Sequence, residues 1–236
     1  MGADYARGRV ERLYLNYRYR VRATVAIQGY QRHHPSPPSD VSVLELGAAE
    51  GKTLLHIRDL FNSRGRYVGV ELSDELLGQA PELPSNVSLL KGDVMDLPEE
   101  LKQGEFDLCT ALAVLEHLPD PMACVREAYD ALRPGGVFVA TCPNPFWDHL
   151  AGMFGMVADE HHEVEVTGKY MVDLAREAGF EDAVFKPFMW VFTGVLPYAG
   201  VDLDPELSLK IDALVEASKL LDFSFVNQAL VAVKPY

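Results

Sequence analysis

The residues whose types and spacing first suggest chemistry lie in Val43-Leu44-Glu45-Leu46-Gly47-Ala48-Ala49-Glu50-Gly51-Lys52-Thr53. An apolar run with one acid leads into a stretch of small residues. Gly47, Ala49 and Gly51 leave room for backbone to approach a ligand closely. A helix starting just after them would aim its first amides at that ligand. Two phosphate-binding patterns can be checked by counting. A P-loop needs a glycine five residues before the glycine of Gly-Lys-Thr, and that position is Leu46. A dinucleotide fingerprint counted from Gly47 needs glycine third and a glycine or alanine sixth, and those positions hold Ala49 and Lys52. What remains is a pair of glycines four apart behind an acidic strand residue, Glu45.

Other residues could join this loop. Glu71 ends Val68-Gly69-Val70-Glu71, and a carboxylate is a strong acceptor for a diol. Asp93 follows Lys91-Gly92 at the end of a similar run. His117, in Glu116-His117-Leu118-Pro119, is a candidate general base, because imidazole titrates near neutrality. His161 and His162 lie between Asp159-Glu160 and Glu163 and are further candidates. That cluster has ligand types suited to a divalent metal, but consecutive residues rarely all face one ion, and no metal site is expected.

Positioning these groups requires a particular set of elements. Strands are expected at Val41–Leu46, Arg66–Leu72, Val87–Lys91, Phe106–Ala111 and Val137–Thr141. Helices are expected at Gly51–Asn62, Asp74–Gln79 and Pro121–Leu132. This alternation reads as βαβ units around a parallel sheet, which binds ligands beyond the carboxyl ends of its strands. Thr167 is expected to cap a helix running to Ala178. Strands at Ala183–Val191 and Phe223–Val233 should flank a helix at Pro205–Leu221. Upstream, apolar residues at helical spacing from Val10 to Val25 predict a helix over residues 5–29, followed by a proline-rich linker, Arg32–Asp40.

Glu45-Leu46-Gly47-Ala48-Ala49-Glu50-Gly51 resembles the acidic-x-Gly-x-Gly-x-Gly motif of class I S-adenosylmethionine-dependent methyltransferases, with Ala49 in place of the middle glycine. Val68–Glu71, Lys91–Val94, Phe106–Pro121 and Leu132-Arg133-Pro134-Gly135-Gly136 resemble later motifs of that family, in its order. The resemblance covers about residues 41–180. It implies an α/β three-layer sandwich whose seven-stranded sheet is mostly parallel, with the last strand antiparallel. It implies S-adenosylmethionine as cofactor and S-adenosylhomocysteine as product. Cofactor contacts are implied from Glu45, Gly47, Ala49 and Gly51, from Glu71 and Leu72 (ribose), from Asp93 and Val94 (adenine), and from Ala111 and Leu112. The final third is similar to the ubiquinone-biosynthesis and small-molecule O-methyltransferase branch, which implies an oxygen acceptor. N- or C-methylation, and a cofactor-binding module without chemistry, stand as alternatives.

Charge narrows the partners. The chain has 236 residues and a net charge of −14, which argues against nucleic acid. Residues 1–32 are nevertheless basic, with seven arginines and two acids. A basic helical arm and linker (1–40) is therefore expected ahead of a methyltransferase domain (41–236), with a cap or lid near 145–166. Pro145–Val157 is unusually apolar, so the expected acceptor is small or lipid-linked, and peripheral membrane contact is a further expectation. Three scattered cysteines suggest reduced thiols. No apolar run reaches the roughly 20 residues of a membrane span, so cytoplasmic residence is expected.

Overall fold

The computed structural model describes residues 13–147, 165–219 and 222–236. In chain order these form α1 (Leu13–His33), β1 (Val43–Leu46), α2 (Lys52–Phe61), β2 (Tyr67–Glu71), α3 (Asp74–Leu77), β3 (Val87–Lys91), β4 (Phe106–Leu112), α4 (Pro121–Ala131), β5 (Leu132–Pro143), α5 (Gly168–Glu177), β6 (Glu181–Trp190), α6 (Val191–Val195), α7 (Pro205–Ser218) and β7 (Phe225–Val233).

The strands form one seven-stranded sheet in the order β3-β2-β1-β4-β5-β7-β6. Every residue of β1 and β4 is buried, as central strands covered on both faces must be. β7 runs antiparallel to both β5 and β6, as the resemblance implies. One apolar layer joins the sheet to Cys124, Val125 and Ala128 of α4 and to Met171, Leu174 and Ala175 of α5. The opposite layer joins it to Ala23, Ala26 and Ile27 of α1 and to Leu54 and Ile57 of α2. Together with the sheet these make the three expected layers. The chain leaves β1 towards β2 and β3, then returns at β4 on the other side of β1. That reversal opens a crevice at the carboxyl ends of β1 and β4.

Local chemistry sets the helix starts. Ser73, Asp120, Thr167 and Asp204 each accept a first-turn amide, satisfying donors the helix cannot. Pro121 and Pro205 follow two of these caps, where the missing N–H costs nothing. α2 differs: its cap is Gly51 at φ 81°, with no side-chain bond.

Three expectations are revised. The fifth strand begins at Leu132, not Val137. Leu132 pairs with Phe106 and Val137 with Leu108, so the Pro134-Gly135-Gly136 turn is a bulge within the strand. The helix α6 at Val191–Val195 lies where strand and then no element was expected. The helix expected as a basic arm is built into the core and extends to His33, into the expected linker. Tyr17, Val21, Val25 and Tyr30 are buried, and Tyr17 contacts Ser208 of α7 through its hydroxyl at 2.5 Å. Gly29 permits the close approach: a Cβ there would sit 3.0 Å from both Val139 and Val231. Arg20 pairs with Asp202 at 2.7 Å.

The three cysteines are separate, buried thiols, and burial pushes each one's ionisation upward. No helix among the described residues is long and apolar enough to cross a membrane.

Candidate active site

A cleft of about 660 Å³ opens at the carboxyl ends of β1, β2 and β4, a volume typical of small-ligand sites. The loop from β1 to α2 forms its floor. Gly47 and Ala48 both donate to the Val70 carbonyl, at 2.8 and 3.0 Å. The Ala49 amide donates to Glu71 Oε2 at 2.9 Å, and the Ser73 amide donates to Glu71 Oε1 at 2.9 Å. Glu71 thus braces the loop while each oxygen keeps a further lone pair. Asp93 accepts from the Met95 amide at 2.9 Å and faces the same cleft.

The loop is tightly drawn. Gly47 has φ +72°, and a Cβ there would lie 2.5 Å from Val114 Cγ2. Ala49 (φ 49°) and Ala113 (φ 60°) take the left-handed conformation without being glycine, and both line the cleft. Such residues gather at ligand sites. Ala49 therefore holds a backbone conformation that glycine adopts more readily. Gly47→Ala combines a clash with left-handed strain, so it is expected to remove about 2–4 kcal/mol of stability in urea unfolding. Adding Val114→Ala should recover the steric part only. A single variant as stable as wild type would show that the loop can relax.

Glu45 is fully buried beneath the loop. Burial pushes its carboxyl up to about 8, and the Glu50 and Glu71 carboxylates add to this; a hydrogen bond from the Leu54 backbone opposes it. Its Oε2 has no hydrogen-bond partner, although the residue lines the cleft. Buried Glu50 and Glu116 line it too, and Glu50 lies 3.3 Å from Lys52 Nζ.

Of the expected cofactor residues, Glu45, Gly47, Ala49, Glu71, Leu72, Asp93, Val94 and Leu112 line the cleft. Gly51 and Ala111 do not. Gly51 faces the Leu89 side chain, 3.1 Å from its would-be Cβ, and turns the chain into α2. Ala111 is buried within β4. Among the candidate bases His117 lines the cleft, in the 3-10 turn Leu115–His117. His161 and His162 lie outside the described residues, as does most of the expected cap. No metal-ligand cluster occurs among the described residues. Leu15, Arg18, Tyr19 and Arg22 of α1 also line the cleft; they follow helical spacing, but nothing in the sequence said which face would meet it.

Residues 44–140 match the model of a methyltransferase domain. The chain is 30% identical over 144 residues to a probable S-adenosylmethionine-dependent methyltransferase of Mycolicibacterium smegmatis, covering 59% of this chain and 51% of that protein. It is 27% identical to a ubiquinone biosynthesis O-methyltransferase of Hydrogenovibrio crunogenus, covering 52% of this chain and 56% of that one. It spans about half the length of the curated relatives it matches first. Among solved structures, a phosphoethanolamine N-methyltransferase of Haemonchus contortus superposes with a TM-score of 0.63 at 19% identity, over 90% of this chain and 53% of that one. With the strand order, the cleft and these matches in hand, residues 44–140 are similar to a methyltransferase domain, and the chain has the class I methyltransferase fold.

Proposed function

We propose that the chain is an S-adenosylmethionine-dependent methyltransferase that methylates an oxygen of a small or lipid-linked metabolite in the cytoplasm. The observation that carries this reading is the convergence of Glu45, Glu71 and Asp93 on one cleft with the Gly47 loop.

The residues fit the cofactor. Glu71 has lone pairs left for a ribose diol. Asp93, two residues past β3, suits the adenine amino group. The open Oε2 of Glu45 and the space at Gly47 suit the amino-acid end. With Glu45 protonated in the free protein, the cleft's other carboxylates (Glu50, Glu71, Asp93, Glu116) still outnumber its cations, Arg18, Arg22 and Lys52, which favours a ligand of net positive charge. When bound, the cofactor supplies an electrophilic methyl group on sulfonium sulfur.

The chain's own residues do the rest. The cleft walls hold the acceptor in line, and alignment supplies much of the rate. His117 takes the proton of the acceptor hydroxyl, which raises the nucleophilicity of that oxygen. Leu118, Pro119 and Pro143 form an apolar side of the same cleft. A net charge of −14 supports a small acceptor over nucleic acid.

Titration calorimetry with S-adenosylhomocysteine tests the cofactor reading. Wild type should bind, and Glu71→Ala should bind more weakly by about 1.5–3 kcal/mol. Absence of binding by wild type overturns the reading. Binding with no methyl transfer to any fraction of a cell extract would leave a cofactor-binding module instead.

A further inference from the structure

We propose that the methyl acceptor carries an oxyanion, a carboxylate or a phosphate, and that Arg18 binds it. This rests on the methyltransferase reading above and names the class of its acceptor.

Leu15, Arg18, Tyr19 and Arg22 are spaced i, i+3, i+4 and i+7, one stripe along α1. All four line the cleft, while Tyr17, Val21 and Val25 on a neighbouring face pack into a buried cluster. The orientation of the stripe is therefore held by packing. Its two cations differ in setting. Arg22 is buried, at 7% exposure, and forms part of the wall. Arg18 lies one turn nearer the start of the helix and is half-buried. It has no ion pair or hydrogen bond among the described residues, whereas Arg20 on the adjoining face is held by Asp202. On the floor opposite, Lys52 is matched by Glu50.

Arg18 is thus a half-buried guanidinium facing a ligand cleft, flanked by an apolar and an aromatic side chain. A guanidinium presents a planar fork that matches carboxylate and phosphate in two parallel hydrogen bonds. Lowered solvent exposure strengthens such a pair. Leu15 and Tyr19 would lie against an apolar or aromatic body of the same acceptor. His117 lines the same cleft, so one bound molecule would present its anion to α1 and its hydroxyl to the turn after β4.

The test uses the full chain saturated with S-adenosylhomocysteine. It is titrated separately with benzoate and with inorganic phosphate, followed by thermal shift and by the arginine Nε–Hε signals in NMR. Wild type should respond saturably at millimolar concentration to one of the two anions, and which one separates the carboxylate from the phosphate class. Arg18→Gln should weaken that response by at least about tenfold, with Arg18→Lys intermediate, because a lysine offers a point charge without the fork. S-adenosylhomocysteine affinity should stay within about twofold in both variants. No saturable response of wild type to either anion overturns the proposal, as does an unchanged response in Arg18→Gln. Loss of S-adenosylhomocysteine affinity in Arg18→Gln also overturns it, by assigning Arg18 to the cofactor. Failure of wild type to bind S-adenosylhomocysteine at the outset sinks the underlying reading, a distinct result.

Discussion

Replacing His117 with alanine is expected to lower the methyl-transfer rate by about 10²–10⁴-fold, the usual contribution of a positioned general base. S-adenosylhomocysteine affinity should stay within about threefold, because the expected cofactor contacts come from other elements. The position supports the role. β4 ends at Leu112, Ala113 turns with φ 60°, and the 3-10 turn follows at once. The His117 amide donates to the Val114 carbonyl at 2.9 Å, so the backbone that carries the ring is fixed. Val114 also limits the space above Gly47, which ties the turn to the loop across the cleft. Single-turnover transfer to an acceptor purified from extract is the measurement. A fall in rate with little change in half-saturating acceptor concentration marks a group acting in the transition state. A rate within about fivefold of wild type would remove His117 as the base and with it the main support for an oxygen acceptor.

The sheet was legible because its strands are short runs of Val, Leu and Phe that only a doubly covered sheet can bury. Val87–Lys91 matches its expected bounds to the residue, and β1, β2 and α2 match within two residues. Much of the cleft was legible as well, because Glu71 ends β2, and Glu45 and Asp93 lie within two residues of the ends of β1 and β3 at the same edge. Other placements have causes the sequence does not display. Gly51 turns the chain into α2 through its left-handed φ. Alternation along β4 sends Ala111 into the core while Leu112 meets the cleft. α1 reads in the sequence as a basic arm ahead of the domain because seven arginines and two acids fall within residues 1–32. In the structure Arg20 pairs with α7's leading loop, Arg22 is buried and Arg18 meets the cleft. Three arginines within five residues thus have three different surroundings, set by packing partners distant in sequence.

Glu45 carries the second large effect, which concerns protons. In the free protein its carboxyl is pushed up to about 8 from 4.5, mainly by burial. At pH 7 it therefore holds a proton that the unfolded chain has lost. The sign follows from linkage. Stability associated with this group is fully present below about pH 4.5 and is lost as pH rises towards 8. That interval corresponds to about 5 kcal/mol. Wild type should therefore lose more stability than Glu45→Gln between pH 5 and pH 8.5, with the difference between the two urea-unfolding curves isolating this group from other titrating residues. Glutamine keeps the shape and an acceptor for the Leu54 amide but never carries the charge. Binding reverses the balance. The ammonium and sulfonium charges of S-adenosylmethionine favour the ionised carboxylate, so Glu45 should release about one proton on binding at pH 7. Calorimetry in phosphate and in Tris reads this directly, because the two buffers take up a proton with different heats. Wild type should show the buffer-dependent difference and Glu45→Gln should not. Equal heats for wild type in both buffers, or an undiminished difference in the variant, would mean that the acid of the loop motif shapes the floor of the cleft without answering the charge of what binds there.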